Sequence, residues 1–204
     1  FREKRDAANE NAGKIRAELD AIFPREMRVD IESVSIDLAA MRITQRFDIF
    51  FGGIQGQIKF PVPPVLEVMW NAYLRTGLPQ YSHTMFITLD SILFGGLYDH
   101  VGGGFFRYVT DERWMFPHFE KMLYDNALML DVMSSVWQQH RNELCRMRVA
   151  DSIGWMLREM RAGDAFAAGL DADSEGEEGK YYLWSEAEID AALAGTFSAK
   201  FKQL

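Results

Sequence analysis

Along most of the chain apolar residues recur every three or four positions, the spacing of one buried helix face. Residues 2–22 are charged and Ala-rich, with a short stripe of Ile15, Leu19, Ile22 and Phe23 that Pro24 should stop. Residues 31–47 repeat the pattern with Val34, Leu38, Met41 and Ile43. Three glycines and Pro61 forbid a regular helix over residues 50–61. Pro64 opens a third helix through Leu66, Val68, Met69 and Tyr73, ending at Gly77, and a fourth runs from about Gln80 through Met85, Leu89, Ile92 and Leu93 to Gly95. Pro117 suits a first helical position, where its missing N–H costs nothing, so the pattern predicts a fifth helix from there to about His140. Met122, Leu123, Leu128, Met129, Leu130, Val132, Met133 and Val136 make that helix apolar over much of its circumference, as in a buried helix. A sixth covers Leu144 to Met160, with Val149, Ile153, Trp155, Met156 and Leu157 on its buried side.

In two places the period drops from 3.6 to 2. After three glycines, Phe105 to Val109 is aromatic and β-branched; Thr110–Glu112 turns the chain, and Arg113 to Phe116 should return it as a short hairpin over the entrance to the fifth helix. Tyr181 to Trp184 reads as a strand, and Ser185 followed by Glu188 reads as the capping box of a last helix.

Two polar clusters break this apolar frame. The first is His118, Glu120, Lys121, Tyr124 and Asp125 at the start of the fifth helix. Helical spacing would put His118, Met122, Asp125 and Met129 on one face, with Glu120 and Tyr124 on the next. Charges at the start of a core helix are costly unless they are paired or face a cavity. The cluster is therefore either an internal network, with Lys121 paired to Asp125, or a functional site. The second is residues 170–180, with five carboxylates among Asp171, Asp173, Glu175, Glu177 and Glu178. A calcium loop would need a bidentate Glu where Tyr182 stands, and a helix after it. A solvated acidic loop and a catalytic or sugar-binding carboxylate set both fit. Clustered carboxylates raise one another's pKa, which suits general-acid work, and flanking aromatics such as Phe166 and Tyr181 offer flat faces for sugar rings.

Composition narrows the classes. The chain has 204 residues, 48% of them apolar, enough for one domain or part of a larger one. A net charge of −8 leaves no basic stripe for nucleic acid. The single cysteine, Cys145, forms neither an internal disulfide nor a metal-spaced set, as expected of a cytoplasmic, reducing compartment. No apolar run reaches the roughly 18 residues of a membrane span. Gly102–Gly104 lacks the Lys-Ser/Thr of a phosphate loop, the four histidines are not spaced as ligand pairs, and no metal or cofactor is expected. Phe1 and the open end at Leu204 read as cuts in a longer chain.

Five runs together resemble one known family: Lys59-Phe60-Pro61, residues 95–100, residues 102–108, the block from Trp114 to Ala127, and Asp171 to Trp184. They are similar to the helical region of the thioredoxin-domain-containing family once called DUF255, the spermatogenesis-associated thioredoxin-like proteins. Where that family usually has Gly-Gly-Phe-Gly before Lys-Phe-Pro, this chain has Gly53-Ile54-Gln55-Gly56. The resemblance implies an all-α fold: an (α/α)6 toroid related to six-hairpin glycosidases and N-acylglucosamine 2-epimerases, about half of it spanning residues 1–204, with short β-hairpins. The N-terminal thioredoxin-like domain and the remaining helical hairpins would be absent. It implies a carbohydrate-directed module that binds, and epimerises or hydrolyses, a sugar where loops surround a funnel. His118, Glu120 and Asp125 are then the catalytic candidates, with Asp171 and Asp173 as partner carboxylates opening onto the same cavity as His118. Lys59, Arg107, Tyr108, Trp114 and Glu175 would bind substrate. The alternative is a non-catalytic scaffold or a client-docking domain of a thioredoxin-like protein. Surface built for missing hairpins should promote self-association or contact with the absent domains.

Overall fold

The computed structural model describes residues 5–22, 33–193 and 196–202, so Phe23, Pro24 and Ile31 lie outside the described residues. The chain divides into two compact units, Phe1–Ile36 and Asp37–Leu204. The first holds α1 (Arg5–Ile22), whose Ile15, Leu19 and Ile22 are exposed. The helix α2 (Ser33–Thr44) crosses into the second unit.

The second unit is built from α3 (Pro63–Thr76), α4 (Pro79–Phe94), α5 (Leu123–His140), α6 (Glu143–Glu159), α7 (Glu186–Leu193) and α8 (Thr196–Phe201). The punctuation follows local chemistry. Prolines open α3 and α4, and Gly77 ends α3 at φ 68° while donating its N–H to the Tyr73 carbonyl. Asn142 caps α6 through its side chain on the Cys145 N–H. The capping box before α7 is present: the Glu188 carboxylate accepts from both the Ser185 N–H and its hydroxyl.

The helices α3 and α5 pack side by side, backed by α4 and α6. Leu66, Trp70, Met85, Leu89, Ile92, Leu93, Met129, Met133 and Val136 form the core between them. Two-residue links at 77–78 and 141–142 close one end. The long connections, residues 45–62, 95–122 and 160–185, gather at the other end, as three backbone bonds show. Lys59 and Val109 exchange N–H···O bonds, and the Leu123 N–H donates to the Ala168 carbonyl. The N-termini of α3 and α5 thus open onto one loop-covered surface.

Three predicted details differ. The stripe buried on α6 is Cys145, Ser152 and Trp155, while Ile153 and Leu157 are 43% and 55% exposed. The helix offers two apolar stripes to one packing face, and the one carrying Trp155 fills it. Tyr181 and Tyr182 lie in a turn and Leu183 and Trp184 are irregular rather than in a strand, because the Tyr182 and Leu183 N–H groups both bond back to the Gly179 carbonyl. The third difference, the start of α5, bears on the site.

Candidate functional site

The fifth helix begins at Leu123, not Pro117. Residues 117–118 form β2, paired antiparallel with β1 (Tyr108–Val109) in the register Tyr108↔His118 and Val109↔Pro117. The turn between them is organised by Asp111, whose carboxylate accepts the N–H groups of Arg113, Met115 and Phe116. That turn carries the chain past Phe116 before it can return, so the hairpin closes on 117–118 instead of 113–116. Next, β3 (Lys121–Met122) pairs with β6 (Gly169–Leu170), which holds the chain extended until Leu123. Two further hairpins lie beyond α6: β4 (Arg161–Ala162) with β5 (Ala165–Phe166), and β7 (Asp173–Ser174) with β8 (Glu177–Glu178).

An extended 117–122 segment has period 2, so the helical face grouping does not hold. His118 and Glu120 fall on one side, Pro117, Phe119 and Lys121 on the other.

On the first side, Arg107 Nη1 donates to Glu120 Oε2 at 2.8 Å. His118 Nε2 lies 3.9 Å from the same oxygen, and His118 Nδ1 is 2.6 Å from Glu178 Oε1. Tyr108 stacks on the His118 ring, with centroids 4.8 Å apart and planes 19° apart, and Phe60 stacks on Tyr108 at 4.8 Å. Tyr124 and Asp125, in the first turn of α5, complete the group. Hydrogen bonds that Arg107 donates to Glu120 and Tyr124 raise its pKa, so the guanidinium stays charged. Burial pushes the Asp125 carboxyl up, against the attraction of Arg107 and a hydrogen bond with Tyr124. Its Oδ2 is buried with no hydrogen-bond partner among the described residues. A carboxyl held toward its protonated form, a second carboxylate, an imidazole and an aromatic stack therefore share one open face. Such groups can donate and accept protons beside a ring laid on Phe60 and along the edge of the stack.

On the other side, Lys121 is structural. Lys121 does not pair with Asp125; its buried Nζ donates to Asp99 Oδ2 at 2.7 Å and to the Gly103 carbonyl at 2.8 Å. Lys59 and Trp114, expected to touch substrate, are likewise buried. Lys59 Nζ donates to Asp48 Oδ2 and the Gly52 carbonyl, both at 2.8 Å, and Trp114 Nε1 donates to the Phe51 carbonyl.

The acidic loop folds as the β7–β8 hairpin, with Glu175 and Gly176 both at positive φ, the requirement of a tight I′ turn. Glu175 sits in that turn and pairs with Lys180 at 2.5 Å. Asp171 accepts the Asp173 N–H, and both line a cavity of about 380 Å3 with Glu159, Tyr181 and Tyr182. His118 is not among the residues lining that cavity. It meets the acidic loop through Glu178 instead, which stands directly opposite Asp173 in the hairpin register. The reason is the strand period, which turns His118 away from the Phe119 side. Sequence reading missed Glu178, Asp48 and Asp99. A signal for the last two was present in the repeated spacing Asp-x-x-x-Gly-Gly at 48–53 and 99–104. No group of three or more His, Cys, Asp or Glu among the described residues is placed to hold a metal.

Paired helices backed by a second layer, with long loops collected at one end, define an (α/α) toroid of the six-hairpin glycosidase and epimerase type. Solved structures agree in fold. Cellobiose 2-epimerase from Spirochaeta thermophila matches with a TM-score of 0.56 at 15% identity, over 68% of this chain and 41% of that one. An unsaturated glucuronyl hydrolase specific for heparin matches with a TM-score of 0.57 at 10% identity, over 83% of this chain and 52% of that one. In sequence, the chain is 34% identical over 164 residues to Spermatogenesis-associated protein 20 of Homo sapiens. The match covers 74% of this chain and 21% of the human protein, so the chain spans about a fifth of the relative's length. No protein-family model matches the chain. No helix among the described residues is long and apolar enough to cross a membrane.

Proposed function

We propose that the chain is the toroid part of a protein of the thioredoxin-domain-containing DUF255 family and that it acts on a carbohydrate. The observation that carries this reading is the face formed by Arg107, Glu120 and His118 beside the Phe60–Tyr108 stack, at the N-terminus of α5. The sugar ring lies against the exposed Phe60 ring and along the edge of the Phe60–Tyr108–His118 stack. His118 and Glu120 transfer protons at the anomeric end of the ring or at its neighbouring carbon, as hydrolysis or epimerisation requires. Arg107 keeps Glu120 in place, and Asp125, whose carboxyl burial holds above its ordinary value, is a further proton-transfer group beside them. Asp171, Asp173 and Glu175 stand outside this face, in the acidic loop that Glu178 joins to His118. The sugar-processing names of the two solved toroids support the substrate class, and the 34% identity to the human protein supports the family.

The test is a screen of the full-length protein against reducing disaccharides and aryl glycosides, with Glu120→Gln and His118→Asn in parallel. Turnover of at least one sugar, reduced roughly 100-fold or more by each variant, is the expected result for general acid–base groups. Turnover indifferent to both variants, or none across the panel, would leave a scaffold that docks partners as the better reading.

A further inference from the structure

The side of the 117–122 segment turned away from His118 borders a cavity of its own, about 410 Å3 in volume. That is within the roughly 300–1,000 Å3 of small-molecule sites. Pro117 and Phe119 line it, together with Asp99, Glu159, Tyr182 and Trp184. The aromatic groups form an ordered set. Phe119 and Tyr182 stack at 5.5 Å with planes 8° apart, and Phe106 meets Tyr182 edge-on at 4.9 Å. Trp184 and Tyr181, which also line the cavity, remain 56% and 69% exposed. Large rings left open at a cavity are platforms that nothing in the described chain covers.

The charges say what would sit on them. Asp99 already accepts from the Lys121 ammonium and from the Val101 and Gly102 N–H groups. Glu159 accepts from Trp155 Nε1 and from the Arg158 guanidinium. A cationic ligand would find no unpaired carboxylate. The aromatic space suited to a cation is taken by Lys121 itself, 4.8 to 5.0 Å from the Phe106, Trp155 and Tyr182 rings. An anion would face two carboxylates. An apolar ligand would leave polar groups unmatched, because Asp99, Glu159 and Tyr182 all line the cavity and both carboxylates keep free lone pairs. Burial, with Asp99 and Glu159 nearby, pushes the Tyr182 pKa up, so its hydroxyl stays protonated and able to donate.

What remains is a neutral ring with an apolar face for Trp184 and Tyr181 and hydroxyls at its edge for Tyr182, Asp99 and Glu159. We propose that this cavity is a carbohydrate-binding site for a single pyranose ring, separate from the His118–Glu120 face. The two sites share one wall, the 117–122 segment, whose alternate side chains serve each in turn. The proposal stands whether or not the first face is catalytic.

The test uses methyl β-D-glucopyranoside and methyl α-D-mannopyranoside as probes, read by saturation-transfer NMR and tryptophan fluorescence. It is run on the wild-type protein and in the Glu120→Gln background, where the first face contributes least. Millimolar or tighter binding of at least one probe is expected, weakened about tenfold by Trp184→Ala and several-fold by Tyr182→Phe. Trp184 is exposed, so its replacement leaves the core intact, and an unchanged melting temperature verifies this. Absence of binding by both probes overturns the second site. So does binding that Glu120→Gln removes, or binding that Trp184→Ala leaves unchanged. The first of these two outcomes would place the ring on the His118 face and strengthen the reading given for it.

Discussion

Two loops of this protein are built on one plan. In each, an aspartate carboxylate accepts the N–H groups two and three residues on: Phe50 and Phe51 for Asp48, Val101 and Gly102 for Asp99. Each aspartate carbonyl then accepts from the glycine four residues on, Gly52 or Gly103, and each aspartate N–H donates to the next glycine, Gly53 or Gly104. A buried lysine, Lys59 or Lys121, bonds the other carboxylate oxygen and the first glycine's carbonyl. The second glycine lies under a buried tryptophan, where an added Cβ would fall 2.4 Å from Trp114 at Gly53 and 2.6 Å from Trp155 at Gly104. The loops differ in what lies between aspartate and lysine. The separation is 11 residues in the first and 22 in the second. The longer insert carries Arg107, Tyr108, His118 and Glu120. The lysine staple fixes the loop, and the added length holds the candidate chemistry.

The comparison breaks most readily at the lysines. Lys121→Met should cost about 3–5 kcal/mol by leaving Asp99 buried without its cation, read as a shift of the denaturant midpoint. Lys59→Met should cost less, because Asp48 keeps more solvent, 17% exposed against 11%, and the rings around Lys59 stand farther off at 5.8 Å. Equal losses would mean that ring contacts and residual solvent do not separate the two staples. Adding Asp99→Asn to Lys121→Met should recover part of the loss, since an amide oxygen still accepts the turn N–H groups.

Next in size is the glycine pair. Gly53→Ala and Gly104→Ala should each cost roughly 1–3 kcal/mol, as both glycines have positive φ, 70° and 83°, and both lie against an indole. Thermal melts of both variants check this, and a change under about 0.5 kcal/mol at either would show that its tryptophan can move aside.

Acid should act on both staples with one sign. Burial opposes ionisation of Asp48 and Asp99, but the lysine and backbone hydrogen bonds outweigh it and hold both carboxyls below their ordinary value. A folded pKa below the unfolded one adds stability that is present above about pH 4 and is lost as pH falls through the depressed folded values. The melting temperature should therefore fall below about pH 4, and Asp99→Asn should flatten that fall. A wild-type melt that is level through this range would contradict the staple account.

How much of this the sequence carries depends on range. The helices α3 to α6 were legible within a residue or two because prolines, Gly77 and apolar spacing act locally. The start of α5 was not. Pro117 fits a helix start and a strand edge equally well, and pairing with Tyr108–Val109 and Gly169–Leu170 decides between them at a distance. The same long-range pairing redistributes the polar cluster. Lys121 goes to Asp99, Lys59 to Asp48, and Arg107, Tyr108, His118, Glu120 and Asp125 remain together, with Glu178 added as a partner of His118. Local spacing cannot show that Lys59 is buried; its repeat in Lys121, each following an Asp-x-x-x-Gly-Gly run, could have.

The smallest effect on stability sharpens the contrast most. Asp125 is a third partly buried aspartate at the same end of the helices, yet its pKa moves the opposite way, raised by burial that Arg107 and Tyr124 only partly offset. A folded pKa above the unfolded one contributes stability below the ordinary carboxylate pKa and loses it as pH rises through the folded value. Above the folded pKa the ionised group is therefore a modest burden, and Asp125→Asn should be neutral or stabilising by less than about 1 kcal/mol. The difference from the wild type should shrink near pH 4, where both proteins carry a neutral side chain. Asp99→Asn, made alongside, should be clearly destabilising at neutral pH, so one substitution type separates a staple from a site. Melts of both variants at neutral pH and near pH 4 give all four values. A loss at Asp125 as large as that at Asp99 would mean that its carboxylate is an ion-pair partner of Arg107 and not a proton donor held in reserve.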